Sequence, residues 1–100
     1  MAEVIWTKSA LADTHAIASY IALDNPSAAA SLIEKILSSC RQLEQFPQRG
    51  RIPPELPNSV YRELVIPPCR IFYKCEQQRV IIVHVMRDEQ QLRLFMLASS

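Results

Sequence analysis

The chain has 100 residues, of which 49% are hydrophobic and 21% charged, with a formal net charge of +1. This composition excludes a disordered chain, and it excludes a protein whose main task is to grip a phosphate backbone, which needs a stronger basic balance. The length suits one domain over residues 1–100 with a single modest core, and no apolar run is long enough for a membrane span. The N-terminus MAEVIWTK lacks the basic-then-apolar order of a secretory signal, so a cytoplasmic protein is expected.

AEVIW (2–6) reads as a short strand, and Thr7 or Ser9 can cap the helix that follows. From Lys8 to Leu23, residues Ala10, Thr14, Ile17, Ala18 and Ile21 share one helical face. Asn25-Pro26 starts a second helix, since Asn is a good N-cap and Pro a good first helical residue. Its apolar stripe runs through Ala29, Leu32, Ile33, Ile36, Leu37, Cys40 and Leu43. So short a link between two helices predicts an antiparallel hairpin.

FPQRGRIPPELPN (46–58) holds four of the seven prolines and the only glycine, Gly50. Helix cannot persist there, and the lone glycine suggests a position with φ > 0. Three strand-like runs follow at 59–66, 70–75 and 79–86, joined by Pro67-Pro68 and by Glu76-Gln77-Gln78. The third is apolar on both faces and should be central. The tail QQLRLFML (90–97) fits either a short strand or a helix. The fold class is therefore α+β: an N-terminal strand, then a helical hairpin on one face of a small, mainly antiparallel sheet.

Alternation places Arg62 with Leu64 and Ile66, and Arg70 with Phe72 and Lys74. A helix-free sheet face presenting Arg70 and Lys74, with Arg62, His84 or Arg87 nearby, would invite an anionic ligand or an acidic partner segment. The alternative pairs Arg62 and Arg70 with Glu63, Glu55 or Glu89 and gives them no further task. His84 has an intrinsic pKa suited to a general base, but in so apolar a run it also reads as a packed core residue. His15 reads as surface and Trp6 as core. Cys40, Cys69 and Cys75 are odd in number and lack CxxC spacing, which predicts reduced thiols rather than disulfides or a zinc site. Residues 1–45 carry three basic and five acidic side chains, whereas 46–100 carry eight basic and five acidic. Seven of those eight are Arg, the residue suited to bidentate contact with carboxylate or phosphate.

Five motifs in order carry a resemblance: P-x-x-G-R (Pro47, Gly50, Arg51), P-E-L (54–56), R-E-L (62–64), P-x-R-I-x-Y (Pro68, Arg70, Ile71, Tyr73) and V-x-V-M-R (83–87). With the β-α-α-β-β-β order, the chain resembles the ParE/RelE superfamily of toxins from bacterial type II toxin–antitoxin modules. The resemblance implies a toxin held inactive in a hetero-oligomer with a cognate antitoxin, with no cofactor and no metal. RelE-like members cut mRNA on the ribosome, the ribose 2′-OH attacking the adjacent phosphate while arginines stabilise the developing charge. ParE-like members instead poison DNA gyrase. On the RelE pattern, Arg70 and Arg87 would be catalytic arginines, with His84 a further candidate. The lysines that such nucleases carry before the sheet are absent, as is a Tyr or His near the C-terminus. The departures favour the ParE-like branch, a binding toxin rather than an enzyme. A third possibility is a non-toxic member kept as an antitoxin partner. The apolar tail with Leu92, Leu94, Phe95 and Leu97 is the candidate antitoxin-binding segment.

Overall fold

The structure, a computed structural model, describes residues 1–98, excepting the side chains of Phe95 and Ala98. The chain runs β1 (Glu3–Trp6), α1 (Lys8–Ala22), α2 (Pro26–Arg41), β2 (Arg62–Ile66), β3 (Cys69–Glu76), β4 (Arg79–Arg87) and α3 (Leu94–Ala98). A 3-10 turn, Gln42–Glu44, extends α2. The strands form one sheet in the order β1-β4-β3-β2, and only β1 is parallel to its neighbour.

Local chemistry sets the helix ends. Thr7 Oγ1 accepts from the Ala10 N–H at 3.1 Å and donates to the Ile82 carbonyl at 2.9 Å, so one hydroxyl caps α1 and ties it to β4. Asn25 Oδ1 accepts from the Ala28 N–H at 3.0 Å, and Pro26 opens α2. Most of the predicted stripes face inward: Ala10, Leu32, Ile36, Cys40 and Leu43 join Ile71, Tyr73, Val80 and Ile82 in a core between the hairpin and the sheet, whereas Leu37, expected on the second stripe, is exposed. Trp6 only partly enters this core, and His15 is exposed.

The opposite face is not helix-free. Leu92 and Leu97 pack on Phe72, Val83 and Met86, with Leu56 and Tyr61 of the Pro-rich loop beside them. The tail is thus a short helix folded onto its own sheet, because β3 and β4 carry apolar side chains on both faces and both faces need cover. A register shift between Phe72 and Tyr73 makes a bulge in β4, with Phe72 opposite His84 and Tyr73 opposite Ile82.

The β3–β4 hairpin turns on Gln77 and Gln78, with φ of 51° and 63°. Glu76 pairs with Arg79, so this is a two-residue loop that prefers Asn-Gly. Each left-handed non-glycine residue costs about 1 kcal/mol. Replacing Gln77-Gln78 by Asn-Gly is expected to raise the melting temperature by about 4–8 °C, corresponding to about 1 kcal/mol, read by a thermal circular dichroism scan.

Candidate functional site: a buried ion-pair network and an open strand edge

The motifs of the second half of the chain converge on Glu63, whose side chain is fully buried. Arg70 Nε donates to Glu63 Oε1 at 2.6 Å, and Arg51 Nε donates to Oε2 at 2.8 Å. Arg70 then makes a fork with Glu55, Nη1 to Oε2 at 2.7 Å and Nη2 to Oε1 at 2.8 Å. Its guanidinium carbon lies 5.0 Å from the centroid of the Phe72 ring. Two arginines and two glutamates make the cluster neutral, which is what allows a charge inside a sheet. The opening strand of the network is placed by register: Glu63 pairs with Phe72, so it stands diagonally beside Arg70 on the same face.

The P-x-x-G-R loop closes on the same place. Arg51 and Glu63 exchange backbone hydrogen bonds at 3.0 and 2.7 Å, a one-rung extension of the sheet. Gly50 has no positive φ, contrary to expectation. Its requirement is space, since a Cβ there would lie 2.6 Å from Tyr73 Oη and 2.7 Å from the Glu63 carbonyl. The Gly50 N–H donates to Tyr73 Oη at 2.8 Å, and burial pushes the Tyr73 phenol up. Pro47 of the same motif accepts from Cys75 Sγ through its carbonyl.

The proposed basic face is not assembled. Arg62 lies on the hairpin side of the sheet and donates to the carbonyls of Gly50 at 2.7 Å and Gln48 at 3.4 Å. Arg87, opposite Cys69, also lies on the hairpin side, 5.1 Å over the Tyr20 ring and 2.7 Å from Glu89. Arg70 is on the other face but buried, and Lys74 shares that face beyond Phe72, 3.8 Å from Glu76. The strands alternate as expected, but register and the cover on the second face separate the four cations.

Of the three catalytic candidates, Arg70 and His84 both lie against Phe72, while Arg87 is on the other face of the sheet. His84 Nδ1 lies 2.8 Å from Asp13 Oδ2, the same oxygen that accepts from the Val85 N–H at 3.1 Å. Its ring stacks on Phe72 at 6.0 Å. Asp13 and Ser9, whose hydroxyl donates to the Val83 carbonyl at 3.3 Å, satisfy the part of β4 that β1 does not reach. His84 and Arg70 both rest on Phe72, but Arg70 turns its nitrogens to Glu63 and Glu55, and His84 turns Nδ1 to Asp13 while its buried Nε2 has no hydrogen-bond partner among the described residues. Asp13 was not singled out from sequence, and no local pattern links residues 72 positions apart.

Among the antitoxin-binding candidates, Leu92 and Leu97 are buried against the sheet and therefore unavailable, while Leu94 is half exposed. The Phe95 side chain lies outside the described residues. The three cysteines are free thiols. Burial pushes Cys40 up to about 12 and Cys69 up to about 11, whereas Cys75 is exposed. Cys69 and Cys75 stand at the two ends of β3, roughly 20 Å apart at about 3.3 Å per residue, too far to bridge. Among the described residues no group of three or more His, Cys, Asp or Glu is placed to hold a metal ion, and no helix is long and apolar enough to cross a membrane.

A family model described as "ParE toxin of type II toxin-antitoxin system, parDE" matches residues 4–92. The chain belongs to the ParE toxin family. A curated relative, Toxin RelE2 of Caulobacter vibrioides, is 37% identical over 95 residues, covering 94% of this chain and 100% of that protein. A solved structure titled "Chromosomal ParDE TA system from P. aeruginosa" is similar in fold, with a TM-score of 0.74. It is 24% identical and covers 87% of this chain and 96% of its own. The motifs that carried the resemblance are thus, in this ParE-family chain, largely the residues of one ion-pair network.

Two expectations follow. Removing one partner of a buried pair strands the other charge. Glu63→Gln should lose about 3–5 kcal/mol in urea denaturation at neutral pH, and the double change Glu63→Leu/Arg70→Met should recover most of it. Hydrogen bonds from Arg70 hold the Glu55 carboxyl down at about 2, against an ordinary value of 4.5. A carboxyl held low stabilises the fold above pH 4.5, and that contribution fades as pH falls toward 2. Glu55→Gln should therefore melt below the parent at neutral pH. The two melting temperatures should converge as pH drops from 4.5 toward 2, and added salt should shrink the neutral-pH gap because Glu55 is partly exposed.

Proposed function

We propose that this chain is a toxin that acts by binding, with DNA gyrase as its target, and that a cognate antitoxin neutralises it in a cytoplasmic hetero-oligomer. One observation carries the preference for binding over RNA cleavage. Arg70, the strand arginine that a RelE-like nuclease would turn to the scissile phosphate, is buried and directs Nε, Nη1 and Nη2 to Glu63 and Glu55. A guanidinium committed to two carboxylates has little left for a developing phosphorane charge. Arg87 and His84 are held by Glu89 and Asp13 instead of converging on it. The family match and the ParDE title of the P. aeruginosa neighbour support the antitoxin partner, and gyrase follows from the ParE-like reading.

A second reading, an mRNA endonuclease acting on the ribosome, is favoured by the name of the Caulobacter relative, Toxin RelE2. Pulse labelling after inducing the chain alone in bacteria separates the two. Gyrase poisoning predicts an early fall in thymidine incorporation with methionine incorporation initially spared, and inhibition of supercoiling by purified gyrase when the chain is added. A prompt fall in methionine incorporation with DNA synthesis spared would replace the gyrase reading by the ribosomal one. Unimpaired growth at high expression would point to a non-toxic member.

A further inference from the structure

The sheet ends on its other side at β1, whose outer edge is bare. The Glu3 N–H donates to the Gln78 carbonyl at 3.0 Å and the Thr7 N–H to the Ile82 carbonyl at 3.1 Å. In a parallel ladder the residues between turn their backbone groups the opposite way, so the N–H and C=O of Val4 and Trp6 point out of the sheet. No described residue meets them. Open strand edges in monomeric proteins are usually blunted by proline, lysine or a bulge. β1 has none of these: the run AEVIW holds one charge, Glu3, and its register on β4 is unbroken. Val4 and Trp6 are only partly buried on the hairpin side, and Ile5 only partly on the other.

Charge selects what pairs there. Glu3 and Lys8 stand at the two ends of this edge, and neither has an ion-pair partner among the described residues. The first turn of α1, opening at Lys8, holds no acidic residue to answer its N-terminal N–H groups. An antiparallel pairing centred on Ile5 sets Val4 of one copy opposite Trp6 of the other, which matches the outward backbone groups, and Ile5 against Ile5. The same register sets Glu3 of each copy opposite Thr7 of the other, next to Lys8 and the start of α1. The edge is therefore complementary to itself. A uniformly acidic or uniformly basic segment would gain at one end what it loses at the other. Self-pairing at the β2 edge would instead bring Arg51 and Arg62 of two copies together, which disfavours it.

We propose that a second copy of this chain pairs along β1, joining two four-stranded sheets into one continuous sheet about a two-fold axis. Val4 of each copy exchanges backbone hydrogen bonds with Trp6 of the other, the two Ile5 side chains meet, and each Glu3 meets Lys8 and the α1 N-terminus across the axis. The pairing does not depend on which target the toxin has.

The test is sedimentation of the full chain, purified alone. So small an interface predicts a weak dimer, half formed at about 100 μM and dominant at about 1 mM. Trp6 is the only tryptophan, so its emission shifts to the blue over the same concentration range as the edge is covered. The Val4 and Trp6 amides exchange several-fold more slowly in the dimer, as newly hydrogen-bonded N–H groups do. Glu3→Lys and Lys8→Glu each weaken pairing by about tenfold, because each sets like charges together at both ends of the interface, whereas Lys35→Glu on α2 leaves it unchanged. Mixing the Glu3→Lys and Lys8→Glu proteins restores pairing, since in that heterodimer both contacts join opposite charges; variants that had only lost stability would not rescue one another. A chain that stays monomeric at about 1 mM overturns the proposal. So does a dimer with unchanged Val4 and Trp6 exchange, or a mixture that pairs no better than either variant alone. Protection of those two amides only in an antitoxin complex would give the edge to the antitoxin and overturn the proposal as well.

Discussion

A carboxylate without solvent exposure, Glu63, sits in an edge strand of a four-stranded sheet and organises much of what surrounds it. Left alone it would be neutralised or would unfold the strand. Each of its oxygens instead takes a guanidinium N–H, one from the Pro-rich loop and one from the neighbouring strand. Arg70 passes its remaining fork to Glu55, farther along the same loop. The loop has one rung of backbone pairing to the sheet, so these ion pairs, the Gly50–Tyr73 contact and the hydrogen bonds from Arg62 to the Gly50 and Gln48 carbonyls together fix its course over β2 and β3. Such a network adds little net stability over a well-packed apolar substitute, but it specifies one loop position among many.

That course has a functional consequence. With Leu56 and Tyr61 brought onto the second sheet face and α3 beside them, both faces of the sheet are covered. What the molecule leaves to partners is the outer edges of β1 and β2, the exposed side of the helical hairpin and the arginine-bearing loop. Surfaces of that kind recognise proteins through backbone pairing, apolar anchors and charge.

Much of the fold was legible in the sequence because its patterns are local. The hairpin helices announced themselves through the stripe from Ala29 to Leu43 and the Asn25-Pro26 start, and β4 through its apolar run, broken only by His84. What was not legible depends on contacts between distant residues. Alternation correctly grouped Arg62 with Leu64 and Arg70 with Phe72, but only the register of β2 on β3 shows that the two arginines face opposite ways. Gly50 was read for its conformational freedom when its requirement is the 2.8 Å approach to Tyr73, and a lone glycine looks the same in either case. The tail's apolar residues fit a strand or a helix equally until the bare face of β3 and β4 is known to need them. The pairing of Arg70 with Glu63 and Glu55 was one of two options the sequence left open. The deciding fact, that Glu63 stands diagonal to Arg70, is again one of register.

The same geometry bears on how one fold can host two kinds of toxin. An arginine at the position of Arg70 projects from an internal strand toward the second sheet face. Whether it meets an outside phosphate or an inside carboxylate depends on what stands diagonally across from it on β2 and what the loop carries past its outer edge. Here both places hold glutamate, and the guanidinium is turned inward over Phe72. Removing those two carboxylates would leave a positive group on a sheet face, open to phosphate; supplying them makes the arginine a clamp on the loop. The acids that face the strand arginine therefore decide whether its charge is committed inside the fold or left for an outside anion.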